Sequence, residues 1–231
     1  MPKSSSTIQD SKGHMLIIGK PKRGKTHLLG SVSKHEKMYI LSLENGLAPI
    51  SKAKFDYDEC NSYEEFVKNM TWFVHNYKAK GYTALGIDSL TRYQHYFVDH
   101  LKDGKLDEKL NFDQFAEMLA TMRKMLDELT SQTDFVFVAT VHEEDKGVPN
   151  VSNHPLLEGN IKYELAGYFD TVVVSECGMT GGKDSKMAYW ARLQGNEKTI
   201  AGTRMRHLKN KKTVPNHWKH FISTTSTEGE K

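Results

Sequence analysis

Short apolar runs recur along the chain, separated by longer amphipathic stretches. Each run is mostly apolar and bounded by polar residues or glycine, which is typical of strands buried on both faces of a sheet. The runs are residues 14–18, 38–43, 82–87, 135–141 and 171–174. Because these strands alternate with helical stretches, the pattern predicts an α/β fold with a mostly parallel central sheet and helices on both faces.

Two of the amphipathic stretches carry clear helix signals. Ser62 and Glu65 form a capping-box pattern, and Gly81 predicts the end of the helix that they open. The predicted apolar face of this helix comprises Phe66, Met70, Phe73, Val74 and Tyr77. Asn111 opens the other helix, whose predicted apolar side comprises Phe112, Phe115, Leu119, Met122, Leu126 and Leu129.

The pattern changes in the last part of the chain. Residues 181–184 predict a turn between strands over 172–176 and 186–193, and this hairpin would add antiparallel strands at the C-terminal edge of the sheet. The chain beyond the hairpin is basic and then polar. We therefore expect a flexible arm over 1–13, an α/β core over 14–208 and a basic, polar tail over 209–231.

Composition narrows the class of protein without deciding its function. The chain has 231 residues, 26% charged and 38% hydrophobic, as in an ordinary soluble domain, and its net charge of +3 does not demand nucleic acid. Cys60 and Cys177 are too far apart for metal-ligand spacing and form no disulfide framework, so we expect a cytoplasmic protein. The apolar runs are too short to cross a bilayer and the polar start lacks the apolar core of a secretory signal, so we expect no membrane partner.

The most specific motif is the octet after the first predicted strand. It fits G-x-x-x-x-G-K-[ST], the phosphate loop of nucleoside-triphosphate enzymes, in which backbone N–H groups surround the phosphates, Lys25 would reach the β and γ phosphates and Thr26 would offer its hydroxyl to Mg²⁺. A Gly/Lys surface turn would also fit, but the strand before the octet and the helix after it favour the phosphate loop. Our candidate residues for binding ATP with Mg²⁺ are Gly19, Lys20, Pro21, Lys22, Arg23, Gly24, Lys25, Thr26 and His27.

Three further strand ends carry residues suited to nucleotide hydrolysis, and parallel strands would bring them to one edge of the sheet. Asp88 could orient Mg²⁺ or cap the next helix, or do both. Glu44 could be the general base that activates water, or an exposed turn residue. His142 could contact the γ-phosphate, or pair with the acids at 143–145. Together with Lys25, Glu44 and His142 are our candidate catalytic residues.

The octet, Glu44, the run Ile87-Asp88-Ser89 and His142 together resemble the RecA-like P-loop ATPases, and specifically the small phage ATPases of the single-strand annealing type. The resemblance extends over about residues 15–208 and implies a RecA-like fold. In that family the glutamate is catalytic, the aspartate belongs to the Walker B motif and the residue matched by His142 is the γ-phosphate sensor.

The resemblance also implies how the protein works with others. A DNA-binding loop follows the sensor in this family, and residues 143–160 occupy that place. A late basic strand reaches the ATP of a neighbouring subunit; Arg204 matches it, whereas Gly202 stands where a lysine is common. The implied cofactors are ATP and Mg²⁺, and the implied partners are single-stranded DNA, further copies of the chain and a single-strand-binding protein.

Candidate DNA contacts lie in two segments. In the loop after His142 they are Lys146, Asn150, Asn153 and His154. In the basic segment near the C-terminus they are Arg206, Lys209, Lys211, Lys212 and Trp218. Cations beside an aromatic ring suit a single strand, because its phosphates attract charge and its bases stack. A solvated basic tail has the same composition, so this pattern alone leaves DNA binding open.

Three functions compete at this stage. The first is a DNA-stimulated ATPase that acts in recombination by annealing or pairing single strands. The second is a nucleotide-regulated helicase loader or recombination mediator with little turnover. The third is a nucleotide or small-molecule kinase, which is disfavoured because we find no arginine-rich segment that would cover the phosphates.

Overall fold

The computed structural model describes residues 13–103, 105, 108–144, 153–180, 185–196 and 199–222. The predicted arm, apart from Gly13, lies outside these ranges, as do Lys146, Asn150, the predicted turn at 181–184 and residues 223–231. The strands are β1 (Met15–Gly19), β2 (Met38–Ser42), β3 (Asp56–Glu59), β4 (Ala84–Asp88), β5 (Val136–His142), β6 (Thr171–Met179), β7 (Met187–Arg192), β8 (Gly202–Thr203) and β9 (Thr213–Pro215). The α-helices are α1 (Lys25–Ser31), α2 (Tyr63–Lys80), α3 (Leu90–Leu101), α4 (Phe112–Thr130) and α5 (Ile161–Tyr168).

One sheet joins all of these strands, in the order β3-β2-β4-β5-β1-β6-β7-β9, with β8 paired to β6. The pairs from β3 across to β6 are parallel, whereas β7, β8 and β9 join in antiparallel orientation. The predicted α/β fold class is therefore confirmed, including the antiparallel C-terminal edge. No described helix combines the length and the hydropathy that a membrane-spanning segment requires.

Alternate side chains of the central strands form two cores, one on each face of the sheet. On β1, Leu16 and Ile18 pack in the core that α2, α3, α4 and α5 cover, whereas Met15 and Ile17 pack in the core that α1 covers. Strands buried on both faces need apolar residues at every position, which is why the sequence shows continuous apolar runs.

Three local predictions were incomplete. Val74 is 53% exposed and Phe112 is 85% exposed, so neither belongs to the apolar face assigned to it. Val74 lies one residue beyond Phe73, about 100° around the helix, while Phe112 is the first residue of α4 and precedes its buried turns. The strand β3 is not predicted from the sequence, because every residue of this edge strand is exposed and its Asp-Tyr-Asp-Glu sequence has no apolar alternation.

The segment after Lys209 was predicted to be a tail, and as far as residue 222 this is wrong. Its Thr213–Pro215 portion pairs with β7 as β9, and Trp218 and Phe221 are buried against α1. The backbone N–H of Trp218 donates a hydrogen bond to Ser31 Oγ at 2.8 Å. The segment was misjudged because its few apolar residues are scattered among charged ones, and the prediction followed the charge.

A buried histidine predicts how stability depends on pH. His14 Nδ1 accepts a hydrogen bond from the Phe137 N–H, and Nε2 donates to the Gln132 carbonyl, so the ring is neutral. Burial lowers the pKa of His14 below its usual 6.5, although the charge of Asp170 partly opposes this shift. The unfolded chain therefore binds a proton more readily than the folded one, and we expect the free energy of unfolding to fall as the pH drops below about 6.5.

Urea unfolding between pH 5 and pH 8 would measure this effect. His217 and His220 have pKa values shifted in the same direction, so the parent must be compared with His14→Gln, which lacks only this titrating group. The variant should be less stable at pH 8 but should lose less stability on acidification. An identical pH dependence in the two proteins would contradict the assignment.

Candidate active site

The carboxyl ends of four parallel strands meet at one edge of the sheet. Gly19 at the end of β1 pairs with His142 at the end of β5, and Ser42 at the end of β2 pairs with Asp88 at the end of β4. Glu44 follows β2 by two residues, and its carboxylate reaches the ring of His142. The three strand ends singled out in the sequence are thus gathered beside the phosphate loop.

Distant parts of the chain hold the phosphate loop in shape. Ser175 donates a hydrogen bond to the carbonyl of Arg23 at 2.6 Å, and Asn216 donates one from Nδ2 to the carbonyl of Gly24 at 2.8 Å. Gly24 has a φ of 91°, and a Cβ at this position would lie 2.7 Å from a ring carbon of Tyr189. Only glycine fits there, so β6, β7 and the C-terminal segment all constrain the loop.

The outer side of the loop is polar and accessible. Pro21, Lys22 and Arg23 are exposed, and Arg23 Nη1 donates to the carbonyl of Cys177 at 3.1 Å. His27 is also exposed, and its ring centre lies 6.5 Å from that of Tyr189. These side chains surround the loop, which leaves its interior to backbone groups and to Lys25.

Lys25 points into the loop and is 6% exposed. Its Nζ donates to the carbonyls of Gly19 at 2.9 Å and Lys20 at 3.1 Å, and it lies 3.4 Å from His142 Nδ1. Burial lowers the pKa of Lys25, while the nearby charge of Glu44 is the strongest influence in the other direction. The ammonium group therefore lies at the centre of the loop. When a triphosphate binds, its anionic oxygens would replace these neutral carbonyls as the hydrogen-bond acceptors of Lys25.

Thr26 and Asp88 form a pair of oxygen ligands suited to Mg²⁺. Thr26 Oγ1 donates to Asp88 Oδ2 at 3.0 Å, and Thr140 Oγ1 donates to Oδ1 at 2.5 Å. Burial raises the pKa of Asp88, which is 2% exposed, despite the opposing hydrogen bond from Thr140. A buried carboxylate with hydroxyls as its neighbours fits Mg²⁺, which binds through few protein oxygens and completes its shell with substrate phosphates and water. Ser89, not Asp88, caps α3, so the helix-cap interpretation of Asp88 is wrong.

One carboxylate oxygen of Glu44 accepts two hydrogen bonds. His142 Nε2 donates to Glu44 Oε1 at 2.8 Å, and Ser89 Oγ donates a short hydrogen bond to this oxygen as well. Burial acts to raise the pKa of Glu44, but these two bonds and the charges of His142 and Lys25 hold it below its ordinary value. The side chain of Glu44 is 27% exposed, so it is not the exposed turn residue that was the alternative. His142 therefore pairs with Glu44, whereas Asp145, one of the alternative partners, lies outside the described residues.

Arg204 does not belong to this site within one chain. It follows β8, which pairs with the first residues of β6, whereas the phosphate loop follows the last residue of β1. Because β1 and β6 are parallel, Arg204 and the loop lie at opposite ends of these strands. Its guanidinium contacts the carbonyl of Gly167 at 3.0 Å and lies 3.8 Å from Asp170. A role at the ATP of a neighbouring copy stays a prediction.

The candidate DNA contacts differ in the exposure of their side chains to solvent. Arg206, Lys209, Lys211 and Lys212 are exposed around the start of β9. Trp218 is 2% exposed within the core, so its indole cannot stack on a base, and that assignment is wrong. In the segment after His142, Asn153 donates to Glu143 Oε1 at 2.8 Å, and the His154 ring lies edge-on to Tyr163.

The residues that support the candidate catalytic groups were not predicted from the sequence. Ser89 and Thr140 bond the two candidate carboxylates, and the hydroxyl of Thr91 accepts the N–H of His142 at 3.0 Å. Ser89 could have been found, because it follows Asp88 at the start of a helix. Asn216 could not, because its contact with Gly24 joins residues 192 positions apart.

No curated protein matches the chain in sequence. Among the solved structures that resemble the chain, two have a TM-score of 0.49, and each is matched over 70% of this chain. One is a prototypical ATPase of the type III secretion system of pathogenic bacteria, 19% identical and covered over 51% of its length. The other is the ATPase EscN with its central stalk EscO from enteropathogenic E. coli, 16% identical and covered over 42%.

The match that decides the family covers most of the chain. A family model described as an AAA domain matches residues 11–205, which include the phosphate loop, Glu44, Asp88 and His142. A family match of this extent, over a complete phosphate loop with its acidic partners, shows that the chain belongs to the AAA-domain family and is a P-loop ATPase.

Proposed function

We propose that this ATPase acts in DNA recombination, where it binds single-stranded DNA, is stimulated by it and promotes annealing or pairing. The observation that carries the catalytic part is the grouping of Lys25, Thr26, Asp88 and Glu44 at one edge of the sheet. The DNA part is supported by the exposed cations around the start of β9 and by the resemblance to the small phage annealing ATPases.

Each residue of the group has a distinct task in hydrolysis. Lys25 binds the β and γ phosphates, and Thr26 and Asp88 would hold Mg²⁺, which neutralises charge on the phosphates when bound. Glu44 accepts the proton of the attacking water. Because Oε1 of Glu44 already accepts two hydrogen bonds, one of these donors must move before this oxygen can take a proton.

This arrangement also favours a second candidate function. A carboxylate whose pKa is held low is a weak base, so the protein would turn over slowly while His142 and Ser89 hold Glu44. A nucleotide-regulated loader or recombination mediator would use that slow state. ATP turnover measured with and without a long single-stranded oligonucleotide separates the two functions, because only a DNA-dependent ATPase accelerates.

DNA binding should depend steeply on salt. Each phosphate contact releases counterions, so log Kd should rise with log salt with a slope of about 0.7 per contact on a single strand. Replacing Lys209, Lys211 and Lys212 by alanine should weaken binding to an oligothymidylate and reduce this slope by about 2. Fluorescence anisotropy at four or five salt concentrations would measure both quantities.

A matched triple variant on the other face of the sheet controls for net charge. Lys68, Lys80 and Lys124 are exposed on α2 and α4, so their replacement removes the same number of charges elsewhere. Equal losses in the two triple variants would show nonspecific attraction only. Failure of the parent to bind the oligonucleotide at low salt would overturn the DNA part of the proposal.

A further inference from the structure

We infer that the first two turns of α3 bind a phosphate of the single strand, through Arg92 and His95 at the mouth of a cavity that leads to Glu44. This inference rests on the proposed function and locates the nucleic acid beside the ATPase site. It adds a second binding surface to the one formed by the cations around β9. The strand β9 is the outermost strand on the side of the sheet away from β3 and β2.

The cavity connects the surface with the catalytic group. Its volume is about 440 Å³, and it is lined by Glu44, Thr91, Arg92, His95, His142 and Leu156. Glu44 and His142 form the inner wall, where they contact each other at 2.8 Å. Arg92 and His95 are exposed, one turn apart on α3. A ligand on these two side chains would therefore lie directly outside the hydrolytic residues.

The charges around the cavity favour an anion. Among the described residues that line the cavity, Glu44 is the one carboxylate, and it already accepts hydrogen bonds from His142 and Ser89. Around the other end of α3, Asp99, Asp103 and Glu64 line a separate cavity of about 360 Å³ together with His100, which contacts Glu64. A polyanion that approaches α3 is thus repelled from its last turns and attracted to its first two.

The shape and the apolar groups at the mouth favour a single strand over a duplex. The Arg92 guanidinium lies 5.0 Å from the ring centre of Tyr96, which orients it and leaves an arginine–aromatic surface for a base. Leu156, which also lines the cavity, is 42% exposed. A single strand can turn one phosphate and one base into a cavity of this size, whereas the stacked bases of a duplex are not available to either surface.

The first turn of α3 links this site to hydrolysis. Ser89, the cap of α3, donates to Glu44, and Thr91 accepts the N–H of His142 at 3.0 Å. A phosphate bound by the next residue, Arg92, displaces the same turn and weakens the hydrogen bonds from Ser89 and His142 to Glu44. By linkage, a nucleotide that favours the released state must tighten the binding of the single strand by the same factor.

Arg92→Ala tests the inference. Its binding to an oligothymidylate should be about three- to tenfold weaker, with a salt slope lower by about 0.7, because one phosphate contact is lost. The ratio of ATP turnover with oligonucleotide to turnover without it should fall toward 1. Arg92→Lys keeps the charge and should recover part of both effects. Lys68→Ala, an exposed cation on α2, should leave the affinity and the ratio as in the parent.

The outcomes separate this inference from the proposed function. If the parent is stimulated by the oligonucleotide and Arg92→Ala keeps the parent's affinity, slope and ratio, the inference is wrong and the proposed function stands. If the parent neither binds nor responds to the oligonucleotide, both are wrong. If Arg92→Ala has a lower melting temperature than the parent, Arg92→Gln decides instead, because it retains the side-chain stem over Tyr96 without the charge.

Discussion

Replacing Lys25 by alanine should abolish ATP binding at micromolar concentrations and with it all turnover. The Nζ of Lys25 is the cation at the centre of the loop, and its charge-assisted contacts to two phosphates account for a loss of at least about hundredfold in affinity. The carbonyls of Gly19 and Lys20 would also lose their donor, so the loop itself should be less ordered. Calorimetric titration with ATP and Mg²⁺, together with a phosphate-release assay, would measure both effects.

Lys22→Ala is the matched control for this experiment. Lys22 lies in the same loop but is exposed, with a φ of 61° at the outer turn. Because water screens an exposed charge, its loss should cost much less affinity than the loss of Lys25. Equal effects of the two substitutions would mean that the loop attracts ATP only by its overall charge, and the assignment of Lys25 would be wrong.

Local signals were sufficient for most of the fold. The central strands β1, β2, β4 and β5 are apolar over most of their length because both faces are covered, and such runs can be recognised without knowing their partners. The capped helices were recognisable for the same reason: Ser62 accepts the N–H of Glu65, and Gly81 adopts a φ of 70°. The polar edge strand β3 was not predicted, because it forms through backbone pairing with β2 and not through burial of its own side chains.

The candidate site shows the same division. Glu44, Asp88 and His142 could be identified because each lies within two residues of the end of an apolar strand, and the parallel sheet then brings them together. The hydrogen bond from His142 to Glu44 could not be identified from the sequence, because it depends on which rotamers two half-buried side chains adopt across β4. The C-terminal contacts on Gly24 and Ser31 come from Asn216 and Trp218, whose charged surroundings predicted a tail.

Glu44→Gln should separate ATP binding from ATP hydrolysis. The amide oxygen of glutamine can accept the hydrogen bonds of His142 Nε2 and Ser89 Oγ, so the structure and the affinity for ATP should be close to those of the parent. The amide cannot take a proton from water, and turnover should therefore fall by about hundredfold or more. Calorimetric titration and single-turnover hydrolysis on the same preparation would measure the two quantities.

Asp88→Asn provides the contrast, because Asp88 contacts Thr26, its partner in the candidate Mg²⁺ site. It should raise the Mg²⁺ concentration that half-maximal turnover requires, and excess Mg²⁺ should recover part of the rate. Excess Mg²⁺ should not rescue Glu44→Gln, because the missing function there is a base and not a metal ligand. If both variants show the same mild loss, or if Mg²⁺ rescues both alike, the two carboxylates do not have separate roles and Glu44 is not the base. A loss of ATP affinity in Glu44→Gln as large as in Lys25→Ala would also contradict that role, since it would place Glu44 in the binding of ATP and not in its hydrolysis.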